Sequence, residues 1–132
     1  MGFVEIEHIA DCAIHVWAPD LTSLFVDAAR GMYQAAGARI GAGPRVERGV
    51  LIKALDTEGL LVSFLSELIF AQESHNLGFD VFEIRVSGRK VSGKLSGAGL
   101  ETQARPIKAV TYHNLGVSRS AAGYEAQIVF DV

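Results

Sequence analysis

The apolar positions of the chain predict two amphipathic helices. The first begins after Pro19-Asp20, a pair typical of a helix start, and ends where Gly37 offers a C-terminal stop. Its apolar residues recur at three- and four-residue spacing: Leu21, Leu24, Phe25, Ala28 and Met32. The second begins after Asp56-Thr57, which can cap it. Its wide apolar stripe is the strongest core element that the pattern predicts and consists of Leu60, Leu61, Phe64, Leu65, Leu68 and Ile69.

Alternation of apolar and polar residues predicts strands in the amino-terminal half. Residues 3 to 7 and 12 to 17 alternate as two short strands that flank Asp11, and residues 46 to 55 are also extended. The glycine-rich stretch from 37 to 44 predicts a surface loop between the first helix and the third strand.

Further strands are predicted after the second helix. The alternation changes phase between Phe79 and Val86, which predicts a β-bulge near Val81. Ser87-Gly88-Arg89 predicts a hairpin turn into residues 91 to 95, and the glycines at 97 and 99 predict a loose connection after them.

The last two predicted strands cover residues 115 to 119 and 124 to 131. In the final strand the side chains of Tyr124, Ala126, Ile128 and Phe130 share one face, so Asp131 is predicted to point away from that aromatic face. Hairpins grouped around two helices indicate an α+β fold, with a largely antiparallel sheet packed against two main amphipathic helices.

Composition and charge narrow the class of protein. A chain of 132 residues with 49% hydrophobic and 20% charged residues is expected to form one domain, residues 1 to 132, that folds without a partner. The net charge of −3 argues against sequence-independent binding to a phosphate backbone, so any RNA is expected to be held by another protein. No apolar stretch approaches the roughly 20 residues of a membrane span, and the amino terminus lacks a secretory signal, so we expect no membrane contact and a cytoplasmic location.

Candidate catalytic groups are few. Cys12 is the only cysteine, which excludes an intrachain disulfide and a multi-cysteine zinc site, and its apolar strand predicts burial rather than catalysis. The glycines around Gly41 lack a P-loop lysine, and no serine lies in a nucleophile elbow. The sequence therefore predicts neither self-contained nucleotide chemistry nor a catalytic residue.

Carboxylates near the two ends of the chain are the main candidate site. Asp11 suits either a turn cap or a charged site, and Asp131 adjoins Val132, whose α-carboxylate is expected to be ionised. If the last strand lies beside the strand that follows Asp11, three carboxylates converge, and their repulsion raises their pKa values unless a cation neutralises them. Oxygen ligands alone suit Ca²⁺ or Mg²⁺.

Histidines leave a second ligand set open. Participation of His8 or His113 would shift the preference towards Mn²⁺ or Zn²⁺. For His8 and for His113, however, a structural hydrogen-bonding role is the favoured interpretation.

Two segments resemble the signatures of the archease family. Glu7-His8-Ile9-Ala10-Asp11 is similar to the archease signature Glu-His-Thr-Ala-Asp, and Ile107-Lys108-Ala109-Val110-Thr111-Tyr112-His113 matches the second one. The ending Ile128-Val129-Phe130-Asp131-Val132 resembles the archease carboxyl terminus. Order and spacing agree over essentially the whole chain.

The resemblance implies a single archease-type domain and a function without catalysis of its own. An archease binds a divalent metal and assists the GTP-dependent RNA ligase of tRNA splicing, promoting guanylylation and multiple turnover of the ligase. The implied metal ligands are Asp11, Asp131 and the carboxylate or carbonyl of Val132, with Ca²⁺ preferred and Mg²⁺ or Mn²⁺ as alternatives. Ile9 replaces the usual Thr of the family, so the missing hydroxyl is expected to affect metal affinity more than metal position.

The second signature has two readings. Lys108, Tyr112 and His113 either shape the site or meet the partner, whereas alternation alone suggests that Val110 and Tyr112 simply pack in the core.

Two other functions compete with that of a ligase activator. A chaperone-like, general protein-binding module would act independently of Asp11 and of metal. A stand-alone metal-dependent hydrolase would need a base poised by a bound water, and nothing in the sequence marks its substrate pocket.

Overall fold

The computed structural model describes residues 1 to 7 and 12 to 132, so His8, Ile9, Ala10 and Asp11 lie outside the described residues. The described part contains two helices, α1 (Leu21–Ala35) and α2 (Thr57–His75). Its strands are β1 (Gly2–Glu7), β2 (Cys12–Ala18), β3 (Ala38–Ile40), β4 (Val46–Lys53), β5 (Leu77–Ser87), β6 (Lys90–Gln103), β7 (Ala109–Val110), β8 (Ser118–Ser120) and β9 (Gly123–Asp131).

The strands form two antiparallel sheets. The first has the order β1-β2-β9-β7, with β8 also paired to β9, and the second has the order β3-β6-β4, with β5 also paired to β6. Both helices contribute to a hydrophobic cluster that includes buried residues of both sheets. The predicted α+β class with antiparallel strands is confirmed.

Both helices begin at an aspartate cap, and α1 ends just before a glycine. The side chain of Asp20 accepts a hydrogen bond from the Ser23 N–H at 2.7 Å, and that of Asp56 accepts one from the Gly59 N–H at 2.7 Å. Gly37 follows α1 with a φ of +64°, a conformation that costs glycine little. All six predicted stripe residues of α2 are buried, and the rings of Phe25 and Phe64 lie 5.8 Å apart between the helices.

Three details of the strands and their connections differ from the prediction. Residues 38 to 40 form β3 instead of a loop, because they pair with the end of β6. The predicted loose connection at 97 to 99 is wrong, since β6 runs unbroken from Lys90 to Gln103. Leu115 also lies outside any strand, because its N–H bonds the Tyr112 carbonyl at 3.1 Å and closes a turn. The predicted bulge is confirmed by a register shift between Phe79 and Val81.

The glycine at position 97 is required by a close approach of β5. An added Cβ at Gly97 would lie 1.8 Å from the carbonyl oxygen of Gly78 and 2.7 Å from the Cα of Phe79. Glycine therefore continues β6 past the bulge, where any side chain would meet backbone.

Asp27 is a buried carboxylate in α1. Its side chain lies 3.8 Å from the Arg30 guanidinium, and its Oδ2 has no hydrogen-bond partner among the described residues. Burial raises the pKa of Asp27, although the charge of Arg30 opposes the shift. Compared with the unfolded state, the folded state therefore favours the protonated carboxyl of Asp27. The stability that this protonated carboxyl contributes is lost as pH rises from about 3.9 through the folded pKa.

We expect Asp27→Asn to stabilise the protein by about 1 kcal/mol at pH 7 and to flatten this acid-side decline. Urea unfolding at several pH values between about 4 and 7 measures both effects. Asp80→Asn is the matched control. A hydrogen bond from Arg45 lowers the pKa of Asp80, so this variant should lose stability at pH 7 where Asp27→Asn gains it. A less stable Asp27→Asn variant at pH 7 would mean that the Arg30 contact outweighs burial.

Candidate metal centre

Strand β9 is the neighbour of two strands that are linked to the signature segments. It lies between β2, which follows Asp11 in the chain, and β7, which belongs to the second signature. Phe130 is opposite Cys12 on one side and Val110 on the other. The neighbour relation on which convergence of the carboxylates depends is therefore present in the fold.

The end of β9 is held by backbone hydrogen bonds from the second signature. The N–H of Lys108 donates to the Asp131 carbonyl at 2.8 Å, and that of Thr111 donates to the Val129 carbonyl at 2.9 Å. These bonds fix the backbone at the strand end while leaving the Asp131 carboxylate uninvolved.

Asp131 and Val132 lie in different surroundings. Phe130 is fully buried and Asp131 is exposed, which confirms that Asp131 points away from the aromatic face. Val132 is half-buried and packs against the core. An exposed carboxylate on a fixed strand end offers the oxygen donor that a hard divalent cation requires.

Asp11, the third predicted ligand, lies outside the described residues. Among the side chains that the structure describes, no three His, Cys, Asp or Glu residues are grouped so that they could hold a metal ion. Asp131 and Val132 are the predicted ligands that lie within the described residues, and the ligand set stays a prediction.

Arg105, which no local sequence pattern singles out, holds the start of β2 against β1 and α1. The Arg105 guanidinium donates to a Glu5 carboxylate oxygen in β1 and to the Ala35 carbonyl at the end of α1, at 3.3 Å for the latter, and contacts the Cys12 Sγ at 3.3 Å. The Arg105 N–H also donates to the Ala36 carbonyl at 2.9 Å. Glu5 and Arg105 are separated by 100 positions in the sequence, so local patterns do not reveal this cluster.

The thiol in this cluster is buried. Cys12 is 1% exposed, which confirms its predicted burial. Burial raises the pKa of the thiol even though the Arg105 charge opposes the shift, and a neutral thiol is a poor nucleophile.

We expect Arg105→Gln to lower the free energy of unfolding by about 1 kcal/mol, since its hydrogen bonds to charged and backbone groups are half exposed. The loss should appear locally as faster amide hydrogen exchange in β2. Arg45→Gln is the control, because Arg45 forms a comparably exposed ion pair with Asp80 of β5, in the second sheet. Equal exchange in β2 for both variants would contradict a fastening role for Arg105.

The second signature is only partly a core element. Ile107 is buried and its carbonyl accepts a hydrogen bond from the buried Gln72 side chain at 3.2 Å, and Val110 packs against the core. Tyr112, in contrast, is 62% exposed, so the interpretation that it simply packs is wrong. The Nε2 of His113 lies 3.3 Å from the Asn114 amide, which agrees with a hydrogen-bonding role. His8 lies outside the described residues.

His15, to which the sequence assigned no role, has a carboxylate partner. Its Nε2 lies 3.2 Å from the Glu125 carboxylate, in an open groove of about 330 Å³ that Asn114 and Gln127 also line. Glu125 is six residues before Asp131 on β9, which places it roughly 20 Å from the strand end. This polar groove is therefore separate from the candidate metal centre.

The two antiparallel sheets and two capped helices of the described residues define a small α+β protein. The chain belongs to the archease family: the model of the Archease protein family (MTH1598/TM1083) matches residues 3 to 132.

Relatives agree with this assignment, and two solved structures share the fold. The chain is 32% identical to the protein archease of Methanopyrus kandleri and 33% identical to that of Archaeoglobus fulgidus, in each case over 100% of both chains. Its fold is similar to the crystal structure of an archease, possible chaperone, from Thermotoga maritima, with a TM-score of 0.72, 22% identity and coverage of 96% and 94%. It is also similar to the solution structure of Methanobacterium thermoautotrophicum protein 1598, with a TM-score of 0.70, 22% identity and coverage of 99% of each chain.

Neither helix of the described residues is sufficiently long and apolar to cross a lipid bilayer.

Proposed function

We propose that this protein is a metal-binding activator of a GTP-dependent RNA ligase of tRNA splicing. The observation that carries the proposal is the position of β9, whose end carries Asp131, between β2, which follows the first signature in the chain, and β7, which belongs to the second. Family membership adds to it, since the archease resemblance implies this activity.

In the proposed site, Asp11, Asp131 and the carboxylate or carbonyl oxygen of Val132 hold the cation. Asp11 directly precedes Cys12 in the chain. Cys12 in turn is the antiparallel neighbour of Phe130, the residue before Asp131. This covalent and strand connection supports a shared site, and the oxygen donors favour Ca²⁺, with Mg²⁺ or Mn²⁺ as alternatives.

The proposed activation requires no chemistry from this chain. Binding at the ligase shifts it towards the conformation that accepts guanylate, which needs only a higher affinity for that conformation. Exposed Tyr112 and His113, which follow β7 in the chain, are available for such contacts. RNA is reached indirectly, through the ligase, in accord with the net charge of −3 and the expected cytoplasmic location.

Reconstitution tests this proposal. Purified ligase, RNA ends and GTP are assayed for guanylylation and for turnovers per ligase, with and without this protein. We expect guanylylation to accelerate and turnover to become multiple when this protein is added. Unchanged turnover at every ratio of the two proteins would refute an activator.

A chaperone-like module is the second candidate function. The related Thermotoga maritima protein is described as a possible chaperone, and the large apolar side chains of Leu51, Leu55 and Phe70 are exposed here. Suppression of aggregation of unrelated proteins, unchanged by EDTA and by replacement of Asp11, would favour it over ligase activation.

A further inference from the structure

Strand β4 has an outer edge that pairs with no strand of the described residues. It pairs only with β6, in an unbroken register from Val46 opposite Gly97 to Lys53 opposite Lys90. By comparison, β5 at the other edge of this sheet is interrupted by the shift between Phe79 and Val81. A regular eight-residue edge presents a row of backbone N–H and C=O groups that can recruit another strand.

The solvent-facing side chains of β4 are mixed in charge and size. The exposed residues that share one face are Glu47, Gly49, Leu51 and Lys53. Leu51 is 66% exposed, while the position of a Cβ at Gly49 has nothing within 4 Å. Val50 and Ile52, on the opposite face, are half-buried against the core.

Antiparallel pairing of β4 with a second copy permits few registers. Residues whose N–H and C=O point outwards alternate along the strand, so paired residue numbers must add to an even sum. A sum of 98 places Glu47 opposite Leu51, and a sum of 102 places Lys53 opposite Gly49. A sum of 100 places Glu47 opposite Lys53 twice, Leu51 opposite the open space at Gly49 twice, and Val50 opposite itself.

We propose that two copies of this chain form a two-fold symmetric dimer through β4, with Val50 on the axis and Glu47 of each copy paired with Lys53 of the other. This register pairs opposite charges and fills the space beside Gly49 with the Leu51 side chain. Both charge pairing and side-chain packing stabilise cross-strand pairs. Two-fold pairing also uses the edge of each copy, so assembly stops at the dimer.

The proposed dimer is weak. A single strand pair buries less than the roughly 1,200 to 2,000 Å² of a stable interface. A shallow apolar groove of about 170 Å³ beside β4, lined in part by Val50 and Phe70, adds limited contact area. Association is therefore expected at high micromolar protein.

Charge reversal tests the register. Sedimentation equilibrium of the full chain, from about 10 μM to 1 mM, should reveal a monomer–dimer equilibrium. Glu47→Lys creates two Lys–Lys pairs and Lys53→Glu two Glu–Glu pairs, so each variant should weaken the dimer about tenfold or more. The double variant Glu47→Lys/Lys53→Glu restores opposite charges and should regain the wild-type dissociation constant within about threefold.

Glu83→Lys is the matched control. The Lys94 ammonium lies 3.5 Å from Glu47 and 3.9 Å from Glu83, so both reversals disturb the same lysine, but Glu83 is on β5, away from the proposed interface. Its dimerisation should equal that of the wild type. A wild-type chain that stays monomeric to 1 mM, single variants that dimerise normally, open-ended polymers, or a double variant that does not recover would each overturn the proposal.

Discussion

Asp131→Asn is expected to weaken divalent-cation binding by at least 100-fold and to abolish most of the stimulation of the ligase. Loss of a residue that only supports a metal ligand already costs roughly 10- to 100-fold in affinity, and Asp131 is a proposed ligand. The variant should fold normally, because its side chain is exposed and its backbone carbonyl still accepts from Lys108.

Calorimetric titration with Ca²⁺, Mg²⁺ and Mn²⁺ measures the affinity directly. Thermal unfolding gives a second readout that needs no ligase, since a ligand at 100 times its dissociation constant stabilises the folded state by about 2.7 kcal/mol. Calcium should raise the melting temperature of the wild type and of Glu73→Gln, which removes an exposed carboxylate on α2, but not that of Asp131→Asn. Equal cation affinity for all three proteins would remove Asp131 from the ligand set.

Gly97→Ala is expected to destabilise the protein by about 3 kcal/mol, since the new methyl group overlaps the backbone of β5 and only displacement of a central strand pair relieves the overlap. The Cβ would lie 1.8 Å from the Gly78 carbonyl oxygen, and backbone cannot move aside as the end of a flexible side chain can. Urea unfolding measures the loss as a lower midpoint.

Gly116→Ala provides the comparison. A Cβ at Gly116 would have nothing within 4 Å, so its free energy of unfolding should change by no more than about 0.5 kcal/mol. If Gly97→Ala were equally mild, the two strands could not approach as closely as the structure indicates.

Local sequence determined the helices. The caps Asp20 and Asp56, the three- and four-residue spacing and Gly37 predict α1 and α2 nearly to their observed bounds, because helix hydrogen bonds join residues four apart. The change of phase near Val81 similarly revealed the bulge, since alternation of side chains is also a local property.

The candidate site was predictable only in its residue types. The sequence shows Asp131, Val132 and the two signatures. It does not show which strands are neighbours, and convergence of these segments depends on that. The structure places β9 between β2 and β7, and it adds Arg105, whose partners lie in β1, β2 and α1. The exposure of Tyr112 was likewise not evident from an alternating pattern.

The sequence by itself thus determined the helices, most strand segments, the likeness to the archease family and the chemical nature of the candidate ligands. Tertiary structure alone decided that residues 38 to 40 are a strand, that β6 continues through Gly97, and that β9 lies between β2 and β7. The physical reason is the range of the interactions. Helix caps and side-chain alternation act over a few residues, whereas a strand takes its place and length from partners that can lie more than a hundred residues away, as β9 does from β2.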